Sequence, residues 1–239
     1  MIYGIMSQKG GAGKTTIAYN LAYYLTDRKK KVLLVDADQQ CNSCTALGVE
    51  TVKYSLVDVF KGKVTAKAAI IPGKIDLLAA TGEIMGEKIK YDRLQKALSG
   101  LDYDYIIIDC PPGFTDITKS ALLAVDRVIL PVNMDVFGLE SIAQFKGIFD
   151  EAKEVNTDLK ISGIVRCKYI ERRKLTKIVD DNLKDCSKHF GIKIYKTPIR
   201  ECVSIVEAEY MQQSIFEYAP KCKAAQDMTE LFKEILKDK

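Results

Sequence analysis

An α/β fold with one doubly wound, mostly parallel sheet and helices on both faces is what the sequence predicts. Continuous apolar strands alternate with helix-period segments along the chain, the pattern of a sheet buried on both sides. No Pro- or Ser-rich linker, internal repeat or low-complexity stretch interrupts that alternation, so residues 1–239 are read as a single domain, long enough to bury a core without staples. No apolar run approaches the roughly 20 residues a membrane-spanning helix needs. The seven cysteines are dispersed and no signal peptide is evident, which fits a reducing cytoplasm.

The first strand is Ile2 to Met6, and it runs into Ser7-Gln-Lys-Gly-Gly-Ala-Gly-Lys-Thr-Thr16. Ile17, Leu21, Ala22 and Leu25 then recur at helical spacing. A strand, a glycine turn and a helix start form a phosphate cradle. Gly10, Gly11 and Gly13 let the backbone turn left-handed and approach a ligand, while the loop amides and the helix dipole face an anion. Lys9, Gly10, Gly11, Ala12, Gly13, Lys14, Thr15 and Thr16 make up the nucleotide-binding stretch. Lys14 is the point charge for β and γ phosphates and Thr15 the hydroxyl for Mg2+. The strict GxxxxGK[ST] pattern is not met, because Gln8 stands where its first glycine belongs.

Val32 to Val35 read as a buried strand delivering Asp36 and Asp38 at its carboxyl end, where open α/β sheets bind ligands. Cys41-Asn42-Ser43-Cys44 follows; with no second C-x-x-C and one distant histidine, His189, two unlinked, incidental thiols are expected. Ser55 caps a short helix through Phe60, Ile75 to Leu78 is a strand, and a helix through Leu94, Ala97 and Leu98 ends at Gly100. Tyr105 to Asp109 is a second buried strand ending in a carboxylate, as an outer ligand of Mg2+ requires. Helices over 115–124 and 138–155 bracket a strand from Arg127 to Val132, and Ile161 to Arg166 forms another. Residues 160–200 hold twelve Lys or Arg against four Asp or Glu, a local excess able to attract a polyanion. Within it Leu175, Ile178, Val179, Leu183, Cys186 and Phe190 form the buried face of a helix, leaving Lys177, Lys184 and Lys188 to solvent.

Lys9-Gly-Gly-Ala-Gly-Lys-Thr15, Asp36-Ala-Asp38 and Tyr103-Asp-Tyr-Ile-Ile-Ile-Asp-Cys-Pro-Pro-Gly113 together resemble the deviant Walker A ATPases of the ParA/MinD family, a group of P-loop NTPases that includes the nitrogenase iron protein. The resemblance implies an Mg2+-dependent ATPase. Lys9 would reach the partner's phosphates across an ATP-dependent sandwich homodimer, with Lys14 and Asp38 as the other catalytic residues. Asp38 would orient the attacking water, and Thr15, Asp36 and Asp109 would serve the metal. Gln39 and Cys41 depart from the family's proline and glycine.

Further resemblances place the adenine near Pro198 and Ile199, and nonspecific double-stranded DNA on Arg200, Lys221 and Lys223. The branch implied is ParA/Soj, acting in plasmid or chromosome segregation, nucleoid-associated in the cytoplasm, with hydrolysis stimulated by a ParB-like centromere-binding partner. No arginine finger in cis is evident, and no helix-turn-helix extension precedes the loop. The alternative branch is a MinD-like membrane-positioning ATPase, for which Met228, Leu231, Phe232, Ile235 and Leu236 would be the lipid face. Glu230, Glu234 and Asp238 dilute the charge beside that face, and packing of this helix on the domain, not a membrane role, is the expectation. An iron–sulfur reductase is not expected, because the glycine-rich loops that hold such a cluster are missing.

Overall fold

The computed structural model describes residues 1–135 and 138–237, with the side chains of 85, 86 and 138–141 left aside. Six strands, β1 (Ile2–Ile5), β2 (Val32–Asp36), β3 (Asp76–Ala79), β4 (Tyr105–Asp109), β5 (Arg127–Asn133) and β6 (Lys160–Cys167), form one sheet in the order β3-β2-β4-β1-β5-β6. Every neighbouring pair is parallel. The helices are α1 (Lys14–Thr26), α2 (Asn42–Ala46), α3 (Leu56–Phe60), α4 (Ala66–Ala69), α5 (Arg93–Leu98), α6 (Asp116–Ala124), α7 (Gly138–Val155), α8 (Lys174–Phe190), α9 (Val203–Tyr210), α10 (Ile215–Tyr218) and α11 (Lys223–Lys237).

Strand side chains alternate between faces, and the core divides accordingly. Leu34, Ile107, Ile129 and Val165 pack with α1, α10 and α11, whereas Leu33, Val35, Ile108 and Leu130 pack with α3, α5, α6 and α7. Continuous apolar strands are thus what two covered faces require. In α11, Met228, Leu231, Phe232 and Ile235 are fully buried, and the Phe232 ring meets Tyr24 edge-on at 5.4 Å and Phe216 at 6.2 Å. The apolar face available to lipid in the sequence is therefore covered by α1 and α10, as the packing expectation required. Asp238 lies outside the described residues.

Two expectations are corrected. Ile178 is 58% exposed. The buried stripe of α8 is Thr176, Val179, Asp180 and Leu183, because Arg166 on β6 pairs with Asp180 at 3.0 Å and turns that side of the helix inward. Cys41 and Cys44 are not two unlinked thiols but are joined in a disulfide across one turn, Cα to Cα 5.3 Å. Cys41 takes the left-handed conformation (φ 48°) as the N-cap of α2, which brings the two side chains together.

Parallel packing brings the carboxyl ends of β1, β2 and β4 level. Asp36 pairs in register with Asp109, and Asp109 with Ile5, the residue that leads into the glycine loop. The three sequence segments singled out for chemistry therefore end at one edge of the sheet.

Candidate functional site

A cleft of about 710 Å³ opens at that edge, large enough for a nucleotide-sized ligand. Its floor is the glycine loop. Gly11 (φ 67°) and Gly13 (φ 91°) are left-handed, and Gly13 is the N-cap of α1 with no side-chain cap. The first-turn amides of α1 are thus left for an anion. Gly10 does not share the left-handed conformation expected of it. Space around it is open, since an added Cβ would meet nothing within 4 Å.

Lys14 points inward, only 6% exposed, and its ammonium donates to the Lys9 carbonyl at 3.3 Å. Burial lowers its pKa, opposed by Asp109, Cys110 and Asp38 nearby. Lys9 lies at the rim with its side chain 38% exposed, in an ion pair with Asp135 just beyond β5. Asn133, the last residue of β5, donates through Nδ2 to the Gly11 carbonyl at 3.4 Å, and the Gly113 amide donates to the Gln8 carbonyl at 3.0 Å. The loop is therefore braced from β5 on one side and from the segment after β4 on the other.

Opposite the loop stand three carboxylates. Asp36 is fully buried and accepts from the amides of Asp38 (3.0 Å) and Ser43 (2.8 Å). Burial pushes its pKa up to about 6, against those two hydrogen bonds. Asp109 is pushed well above the usual carboxylate range, first by burial and then by Asp36, while Thr15 and Lys14 pull the other way. Asp38 is 7% exposed, faces the cleft, and accepts from the Gln40 amide at 3.0 Å.

Among the described residues, the Oδ1 atom of Asp109 is buried without a hydrogen-bond partner. A carboxylate oxygen left so, near Thr15 and Asp36, fits the hydration shell of a hard dication. Among the described residues no three His, Cys, Asp or Glu side chains are disposed to hold a metal by themselves. Such an ion would draw its remaining ligands from phosphate and water, as Mg2+ does.

The structure thus gathers Gly10, Gly11, Gly13, Lys14, Thr15, Thr16 and Asp38 on one cleft. It does not bring Pro198 and Ile199 to the cleft lining. Ile199 is 4% exposed in the core, its amide bonded to the Arg166 carbonyl (2.8 Å) and its carbonyl to the Tyr169 amide (3.0 Å). The apolar wall comes from α9, which starts at Val203 and supplies Ile205, Val206 and Tyr210, with Glu209 beside them.

Arg200 is bound in a fork to Asp227 of α11, its Nε donating to Oδ2 at 2.8 Å and its Nη2 to Oδ1, while its backbone amide also donates to Oδ2 at 3.1 Å, and its guanidinium is half-buried. Lys221 and Lys223 are exposed.

Sequence reasoning missed Lys168, Asp135, Asn133 and the α9 residues. For the first three a signal existed: each stands at or just beyond the carboxyl end of a strand, the rule that identified Asp36 and Asp109. For α9 there was none, because its place over the cleft is set by tertiary packing.

Comparison with known proteins agrees with this geometry. A family model described as an AAA domain matches residues 1–161. The sporulation initiation inhibitor protein Soj of Bacillus subtilis is 34% identical over 249 aligned residues, covering 98% of this chain and 97% of Soj. The chromosome partitioning protein ParA of Caulobacter vibrioides is 32% identical, covering 98% of this chain and 93% of its own. Among solved structures, cobyrinic acid a,c-diamide synthase from Mycobacterium smegmatis, with an ATP analogue and magnesium bound, superimposes with a TM-score of 0.85. It is 26% identical and covers 99% of this chain and 94% of its own.

Proposed function

The chain belongs to the ParA/Soj-type partition ATPases, and from that premise we propose that it is a segregation ATPase that dimerises on ATP and binds DNA without sequence preference. One observation carries this reading: the two loop lysines face different ways. Lys14 is turned into its own cleft, and Lys9 stands at the rim, held by Asp135. A charge at the rim is placed to cross to a second protomer's phosphates; a charge inside serves its own.

ATP with Mg2+ is the nucleotide that suits the cleft. The amides from Gly10 to Thr15 and the Lys14 ammonium hold the polyphosphate, and Thr15, Asp36 and Asp109 hold the metal and its waters, which neutralises charge as phosphoryl transfer proceeds. Asp38, facing the cleft from the carboxyl end of β2, positions the attacking water. The adenine lies along the apolar wall that follows Pro198 and Ile199. Residues 1–239 act as one domain, cytoplasmic and nucleoid-associated, with a ParB-like centromere-binding partner stimulating hydrolysis. Burial of Phe232 and its neighbours under α1 and α10 supports a DNA-segregating role over membrane positioning.

The test is binding of the Asp38→Ala protein to random-sequence duplex DNA, with ATP or ADP, across a salt series and beside anionic liposomes. ATP-dependent DNA binding that weakens steeply with salt is expected. Binding to liposomes and not to DNA would move the protein to the membrane-positioning branch.

A further inference from the structure

Lys168 follows β6 directly, and its backbone is left-handed, with φ of 52°. A lysine gains nothing intrinsically from that conformation, which costs L-residues energy and concentrates at functional positions. Here it is imposed from both sides. The Cys167 carbonyl accepts the Met134 amide at 3.3 Å, and Tyr169 bonds to Ile199 through its amide (3.0 Å) and to Glu201 through its carbonyl (3.2 Å).

The kink between those anchors turns the Lys168 side chain back over the glycine loop. Its ammonium lies 3.8 Å from the point where a Cβ on Gly11 would stand, and the residue lines the cleft with Gly10, Gly11 and Gly13. The side chain is exposed, and among the described residues it has no ion pair or side-chain hydrogen bond. It is a cation aimed at an anion cradle and, among the described residues, engaged with nothing else.

We propose that Lys168 is a nucleotide-binding residue that closes the phosphate loop from the β6 side, contributing in cis a charge to the polyphosphate additional to Lys14. The proposal rests on the reading of the cleft as a nucleotide site. Lys14 approaches the phosphates from inside the loop and Lys168 from above it, so the two act on opposite sides of the same ligand. Being exposed, the Lys168 contact is open to screening, whereas that of Lys14 is sheltered.

The test is a titration of AMPPNP and of ADP into the full chain, at roughly 50 and 300 mM salt, for wild type and for Lys168→Met, Lys168→Arg, Lys168→Gly and Lys14→Ala. Lys168→Met and Lys168→Gly are expected to bind both nucleotides about tenfold more weakly at the lower salt, as for loss of one charge-assisted contact, with a smaller deficit at the higher salt. Lys168→Arg keeps the charge and is expected within about threefold of wild type. Lys168→Gly suits the left-handed backbone and is expected to melt at or above the wild-type temperature, so its weaker binding is not a folding defect. Wild-type affinity in both the Met and Gly variants, with binding lost in Lys14→Ala, would overturn the role of Lys168 and leave the nucleotide site standing. Wild-type affinity in Lys14→Ala would overturn the nucleotide reading itself, and this proposal with it.

Discussion

The hydroxyl of Thr16, in the first turn of α1, donates a 2.6 Å hydrogen bond to the carboxylate of Glu209 on α9. Both residues line the cleft, so a fixed negative charge sits at the positive end of the α1 dipole, where the phosphates of a nucleotide would go. The carboxylate therefore competes with a ligand's phosphates for that end of the helix. Glu209→Gln keeps an acceptor for Thr16 and removes the charge. It is expected to tighten AMPPNP binding by roughly three- to tenfold, the scale of one partly screened charge. Unchanged or weaker binding would show that Glu209 leaves the site or assists the ligand.

Lys9 is paired with Asp135 in the single protomer, and crossing to a partner means giving that pair up. The pair is over a third exposed on the lysine side, so its loss costs little. Lys9→Ala is therefore expected to bind AMPPNP within about threefold of wild type, since Lys14 and the loop amides remain, and to stay monomeric by light scattering in its presence. A Lys9→Ala protein that dimerises like wild type would remove Lys9 from the interface.

What was legible in the sequence is what depends on neighbours along the chain. The strand ends at Asp36 and Asp109, the glycine loop and the Ser55 cap each follow from a few adjacent residues. The contributors from α9 depend on neighbours in space. Glu209 reaches Thr16 across 193 positions, and nothing local in Val203–Tyr210 marks it as a cleft wall. Ile178 failed for the same reason. Helical periodicity allowed it to be buried, but the Arg166 to Asp180 ion pair fixes the rotation of α8 and is invisible to periodicity. The linked pair Cys41 and Cys44 required a left-handed N-cap that no residue type there announces.

The Ser55 cap carries a pH dependence. Ser55 and Asp58 form a capping box at the start of α3, and Lys63 at 2.8 Å, with the Ser55 amide, holds Asp58 down to about 2. A depressed carboxyl pKa stabilises the fold above the unfolded value of about 4 and loses that contribution as pH falls toward 2. Asp58→Ala is expected to lower stability by about 1 kcal/mol or less at pH 7, given the exposure of Lys63. The difference from wild type in urea midpoints should shrink toward zero near pH 2; a gap that persists there would mean that packing, not charge, is what Asp58 supplies.

Phe232 is fully buried between Tyr24 and Phe216. Phe232→Ala is expected to cost about 3 to 5 kcal/mol, the range for deleting a buried aromatic ring, and removal of Lys223–Lys237 is expected to abolish cooperative unfolding. A truncated protein that melts like wild type and merely loses affinity for anionic liposomes would return α11 to the role of a membrane helix.

The family resemblance assigns Arg200, Lys221 and Lys223 alike to DNA contact, but their settings predict different outcomes. Asp227 is 6% exposed and depends on the Nε and Nη2 of Arg200 for its forked partner. Arg200→Ala leaves that buried carboxylate without its cation and with only the backbone amide of residue 200 from that position, so it is expected to destabilise the fold by about 2 to 3 kcal/mol, a loss seen in the melting temperature whether or not DNA is present. Lys221 and Lys223 are exposed, and the double Lys→Ala variant is expected to melt like wild type. If they contact phosphates, it binds duplex DNA more weakly on every sequence and its log K against log salt slope is shallower by about 1.8, two contacts at ~0.9 each. An unchanged slope in that variant, with ATP-dependent DNA binding intact, would place the DNA on another surface, and the exposed Arg172 and Arg173 ahead of α8 are the next residues to exchange.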